Sequence, residues 1–122
     1  MKKTITVVVA FVIILFTVNL AYSHPPAQIK MAFNIEQCSL VIGIAHSVEV
    51  PKEHFIAKVV VKLNGDVVVI QKILKQDNQN GQSLAYKIPS AELGDTIEVE
   101  AYCNKSGMLD SKLRLTHNIS KN

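Results

Sequence analysis

The chain has 122 residues, and about 23 at its start read as an export signal, which leaves length for one small domain and excludes a two-domain enzyme. Removing Lys2 and Lys3 with that signal lowers the formal net charge from +3 to +1, which argues against nucleic acid and against an anionic membrane surface as partners. Two cysteines are too few for a disulfide-dense scaffold, and 6% aromatics with no Trp leave little for stacking platforms.

The signal reading rests on three parts in order. Lys2 and Lys3 supply a basic start. An apolar run from Ile5 to Val18 follows, broken only by Thr6 and Thr17. Ala21-Tyr22-Ser23 then offers small residues at the −3 and −1 positions of a cleavage site. The run is short for a membrane span, which needs about 20 apolar residues, so an uncleaved anchor is the lesser alternative. Cleavage after Ser23 makes residues 24–122 the mature domain, exported and most simply periplasmic, with no membrane contact after cleavage. Disulfides are permitted there.

Strand signals fill the mature chain. Gln28 to Phe33 gives a first strand. Cys38, Leu40, Ile42, Ile44 and His46 share one face of a second, opposite Ser39, Gly43 and Ala45. Phe55 to Leu63 alternates with Lys58 and Lys62 on the outer parity. Asn64-Gly65-Asp66 then leads into Val67 to Leu74, and Asn-Gly between two such runs is a strong hairpin signal. Asn80-Gly81 marks another turn before a short strand over Leu84 to Ile88. Gly94-Asp95 turns the chain into Thr96 to Cys103, where Ile97, Val99, Ala101 and Cys103 face one way and Glu98 and Glu100 the other. Leu109 to Leu115 is the last strand and ends near His117. Seven short strands without a helix predict an all-β, immunoglobulin-like β-sandwich; a small barrel is the alternative closure.

That topology sorts the soft donor side chains. His24 precedes strand one, His46 closes strand two, His54 opens strand three and Cys103 closes the penultimate strand. All four fall at one pole, and His117 falls at the other. A thiolate with imidazoles suits zinc, iron or copper. Plainer readings exist: a loop histidine is commonly just solvated, and Cys103 could be a small core residue. A Cys38–Cys103 bridge is opposed by topology. Cys38 begins its strand and Cys103 ends one running the same way, so several residues at about 3.3 Å each separate them, beyond the roughly 7 Å limit for bridging. Ser47 and Ser106 lack an acidic residue placed to orient a triad base, so no catalytic residue is assigned. Glu49 and Glu53 read as solubilising charges, Glu98 and Glu100 as an outer strand face, and Asp95 as a turn residue. Asn118-Ile119-Ser120 reads as a chance match to a glycosylation acceptor.

The local residues around these donors are more specific than their spacing. His24-Pro25-Pro26 with Ile29, then His46, then His54-Phe55-Ile56, then Cys103-Asn104-Lys105-Ser106-Gly107 resemble the superoxide reductase family, the iron domain shared by neelaredoxin and desulfoferrodoxin. The resemblance spans nearly the whole mature chain in the same order. It implies an immunoglobulin-like sandwich. It also implies a mononuclear non-haem iron held by four histidines and a cysteine thiolate, with an open position where superoxide is reduced to peroxide by electrons from a periplasmic donor. Carried over by motif, His24, His46, His54 and Cys103 match three of the histidines and the thiolate. Ser106 stands where the fourth histidine is expected, and Tyr22 and Ser23 stand where the family has Glu-Lys. A set of three imidazoles and one thiolate suits zinc at least as well as iron. If His24 is the mature N-terminus, its α-amine beside its own imidazole favours copper.

Overall fold

The structure, a computed structural model, describes residues 23–117 and 119–121; the expected export signal lies outside the described residues, Ser23 aside, as does Asn118 of the glycosylation-like triplet. Among the described residues there are eight strands: β1 (Gln28–Asn34), β2 (Ser39–Ala45), β3 (Ile56–Leu63), β4 (Asp66–Lys72), β5 (Gly81–Lys87), β6 (Thr96–Cys103), β7 (Met108–Arg114) and the three-residue β8 (Ile119–Lys121). They form two antiparallel sheets with strand orders β5-β2-β1-β8 and β4-β3-β6-β7. The first, second and fifth strands share one sheet and the third, sixth and seventh the other, which is the immunoglobulin-like division of a sandwich.

Period-two alternation builds the core between the sheets. Ile29, Met31 and Phe33 from β1 and Leu40, Ile42 and Ile44 from β2 meet Ile56, Val59 and Val61 from β3 and Ile97, Val99 and Ala101 from β6. Each of these is buried, and each is expected to contribute roughly 1.5–3 kcal/mol if it is a fully buried large aliphatic or aromatic side chain. Lys58, Lys62, Glu98 and Glu100 take the outer parity. There the Lys62 ammonium donates to Glu100 Oε1 and the Tyr102 hydroxyl donates to Glu100 Oε2 at 2.6 Å. These two donors, in that order, hold the Glu100 carboxyl below the usual carboxylate range.

The β3–β4 hairpin turns through Asn64 at φ 51° and Gly65 at φ 88°, the paired left-handed conformations that Asn-Gly supplies at least cost. Asp95 serves its turn, accepting from the Glu92 N–H at 2.8 Å and from Asn64 Nδ2 at 2.9 Å. Both cysteines are free, and Cys38, expected on the inner face of the second strand, lies in the turn just before β2 at φ 48°, with its thiol donating to the Ile35 carbonyl at 3.6 Å.

Candidate metal centre

Four chain segments meet at one pole of the sandwich. β1 pairs with β2 in the register Gln28↔Ala45, which sets the residues before β1 beside those after β2. β3 pairs with β6 in the register Ile56↔Cys103, which sets the residues before β3 beside the end of β6. His24, His46, His54 and Cys103 occupy those four places. His117 is exposed beyond the far end of β7, whose direction carries it away from this pole.

The three imidazoles pack edge to face. Ring centroids are 4.9 Å apart for His24 and His46, 5.1 Å for His24 and His54, and 4.8 Å for His46 and His54. One ligand nitrogen from each lies within 4.8 Å of the other two, so His24, His46 and His54 form a group that could hold a metal ion. Cys103 joins at one side: its Sγ is 3.2 Å from His54 Nε2. Two donors about 2.0–2.3 Å from a shared ion stand about 3–3.6 Å apart, so that contact fits a common centre.

Local structure fixes each donor. The N-terminal segment is pinned to β2 by the Ala27 N–H donating to the Ala45 carbonyl at 2.8 Å, and Pro26 is buried. Pro25 lies against Gly107, where an added Cβ would come within 2.9 Å of the Pro25 Cβ; Gly107 also has φ 76°, so both space and backbone call for glycine. The His46 N–H donates to the Asn80 carbonyl at 2.9 Å. Asn104 clamps the loops that carry His54 and Cys103. Its Oδ1 accepts from the Phe55 N–H at 2.8 Å and its Nδ2 donates to the Glu53 carbonyl at 2.9 Å. The Lys105 N–H points at Cys103 Sγ from 3.4 Å.

The ring nitrogens of His24 and His46 face oxygen acceptors. His24 has Pro25 O 3.0 Å from Nδ1 and Ser47 O 2.9 Å from Nε2. A neutral imidazole carries one N–H, so in its neutral form one of these nitrogens would face a carbonyl with a lone pair. His46 is wholly buried and has Gln76 Oε1 2.8 Å from Nδ1 and His24 O 3.2 Å from Nε2, so both its nitrogens also face oxygen acceptors. Burial first, then the neighbouring His46, His24 and Lys105 charges, hold His54 below the ordinary imidazole range, with a His24 main-chain contact pulling the other way. Three imidazoles and a sulfur thus crowd together beside carbonyl oxygens, a donor set that fits a cation.

A cleft of about 600 Å³ opens beside the cluster, lined by His24 and His54 together with Ser47, Glu49, Glu53 and Lys105. Glu49 and Glu53, read from sequence as solubilising charges, therefore border the approach to the donors. Sequence reasoning missed Gln76, which is as buried as His46 and makes hydrogen bonds to it; a lone Gln in a polar loop carries no motif that marks it. No family model, curated protein or solved structure matches the chain.

Proposed function

We propose that the mature chain is an exported, periplasmic, superoxide-reductase-like metal-binding domain whose ion is held by His24, His46, His54 and Cys103. The single observation that carries this reading is the convergence of three imidazoles on ligand atoms within 4.8 Å of one another, with a thiol 3.2 Å from the third ring. Iron is the metal the motif resemblance favours, and bound iron would supply the one-electron chemistry that turns superoxide and two protons into hydrogen peroxide. The chain's own residues would bind the ion beside the cleft that His24 and His54 line and leave it open to a small oxidant, while a periplasmic donor returns the electron.

A second reading is a non-catalytic domain that takes zinc or copper, or a metal-free accessory module for a periplasmic partner. Two features favour it over turnover. Ser106 stands in the place of a fourth imidazole, and a hydroxyl is a poor ligand for a ferrous ion. Glu49 and Glu53 outnumber Lys105 along the cleft, which disfavours an approaching anion. Elemental analysis of protein exported and purified without chelator separates the readings. Iron near one per chain, with a thiolate-to-ferric absorption band on oxidation that is lost in Cys103→Ala, supports the first. Zinc, copper or no metal supports the second, and iron that removes superoxide no faster than free iron rejects the enzyme.

A further inference from the structure

Gln76 lies in the loop between β4 and β5 and is wholly buried. Its surroundings fix which way the amide points. Its Nε2 donates to the His46 carbonyl at 2.8 Å and to the Asn78 carbonyl at 2.9 Å, while its Oε1 accepts from the Ile56 N–H at 3.2 Å. The reversed amide would set oxygen against two carbonyl oxygens and an NH₂ group against an N–H. With Oε1 so placed, His46 Nδ1 at 2.8 Å must be the protonated nitrogen. In the neutral ring the lone pair of His46 is then on Nε2, the nitrogen that faces His24 rather than the loop. The atom it meets there, the His24 carbonyl oxygen at 3.2 Å, has no hydrogen to give.

We infer that Gln76 is a positioning residue that selects Nε2 as the metal-ligating atom of His46. The inference rests on the metal-centre reading and deepens it. A ligating imidazole characteristically donates its other N–H to an oxygen acceptor, which fixes the ring and raises its basicity. Here that acceptor is a side-chain amide, not a carboxylate, so the ring is oriented without adding a charge to a buried site. The same residue reaches the other donors. Its Oε1 holds the N–H of Ile56, two positions after His54, and its own N–H donates to the Pro51 carbonyl at 3.1 Å, inside the loop that joins His46 to His54. One amide therefore sets the tautomer of the second imidazole and braces the strand start that carries the third.

The test separates positioning from simple loop support. Gln76→Glu keeps an acceptor for His46 Nδ1–H and for Ile56 N–H but loses both donated bonds; Gln76→Leu loses the acceptor as well. Co²⁺ affinity is measured by chelator competition on folded protein. The imidazole ¹⁵N spectrum of the metal-free wild type is recorded at about pH 8, where an ordinary imidazole is neutral. The expected result is a His46 ring protonated on Nδ1 in the wild type, Co²⁺ binding weakened about 10- to 100-fold in Gln76→Leu, and binding within a few-fold of wild type in Gln76→Glu. A His46 ring protonated on Nε2 overturns the inference, and so does equal Co²⁺ affinity in wild type and Gln76→Leu. Should neither variant fold, the wild-type spectrum still decides the tautomer. Wild-type protein that takes up no Co²⁺ yet keeps the Nδ1 proton overturns the metal-centre reading and with it this role, and the intact tautomer distinguishes that failure from the others.

Discussion

Gly81 begins β5, and an ideal Cβ there would lie 1.9 Å from the Ile44 carbonyl oxygen and 3.0 Å from its carbon, where ordinary contact starts at 3.4 Å. Gly81→Ala therefore forces the start of β5 to withdraw from β2 by roughly 1.5 Å, in an interior packed too tightly to absorb such a step. The pair that must open, Ala45↔Gly81, ends the β2–β5 ladder. Just beyond it the His46 N–H donates to Asn80 O and the Val48 N–H to Gln79 O, each at 2.9 Å. Losing those two bonds costs about 1 kcal/mol apiece, and overpacking of this kind costs about 1–3 kcal/mol, so we expect a loss of about 3–5 kcal/mol. For a domain near 100 residues that lowers the melting temperature by about 15–25 °C. Thermal and urea unfolding of metal-free protein, followed by circular dichroism, measures it. Gly43→Ala is the control: an added Cβ at Gly43 meets nothing within 4 Å, and its stability should stay within about 0.5 kcal/mol of wild type. A Gly81→Ala protein as stable as Gly43→Ala would refute the argument.

Asn104→Ala removes the clamp between the His54 and Cys103 loops. It should cost about 1–2 kcal/mol, read by urea unfolding, and should weaken Co²⁺ binding measured by chelator competition. Saturating metal at about 100 times its Kd should add about 2.7 kcal/mol to wild-type stability, visible as a raised melting temperature that chelator reverses. His54→Ala should abolish that increment, whereas His117→Ala should keep it. Glu100 has a lowered carboxyl pKa, so the folded state holds fewer protons than the unfolded one; its stabilising contribution is present above the ordinary value of 4.5 and is lost as pH falls below it towards the folded value. Lys62, its partner, has a raised pKa, so its contribution is present below 10.5 and is lost as pH rises beyond that. Urea midpoints across pH should fall less steeply at both ends in Lys62→Met/Glu100→Gln than in wild type.

The strands with one apolar face were the most legible. In β1 and β2 the alternation of Ile29-Met31-Phe33 and Leu40-Ile42-Ile44 matches burial, because a half-buried strand must alternate; in β6 Ile97, Val99 and Ala101 are buried as expected, but Glu100 between them is buried too, beside Lys62 and Tyr102. Strand direction then carries His24, His46, His54 and Cys103 to one pole, since antiparallel connections leave few other options. The edge strands were less legible. The apolar run Val67 to Leu74 overshoots β4, which ends at Lys72; Ile73 is buried past the strand end and Leu74 is 86% exposed. The polar residues Gly81-Gln82-Ser83 hide the first half of β5. Asn80-Gly81 marks a turn as expected, but glycine is needed at 81 for the close approach of Ile44, a tertiary fact with no local signature. Gln76 escaped for the same reason: its importance comes from what four distant backbone and side-chain groups do around it.

X-ray absorption at the edge of the bound metal tests the central claim most directly, because it counts the donors around a single ion. The expected first shell holds one sulfur and several nitrogens, with the sulfur near 2.3 Å and the nitrogens near 2.0–2.1 Å if the ion is zinc; the sulfur contribution should be absent in Cys103→Ser and the shell one nitrogen poorer in His46→Ala. A shell of light scatterers alone in the wild type, unchanged by either substitution, would contradict it.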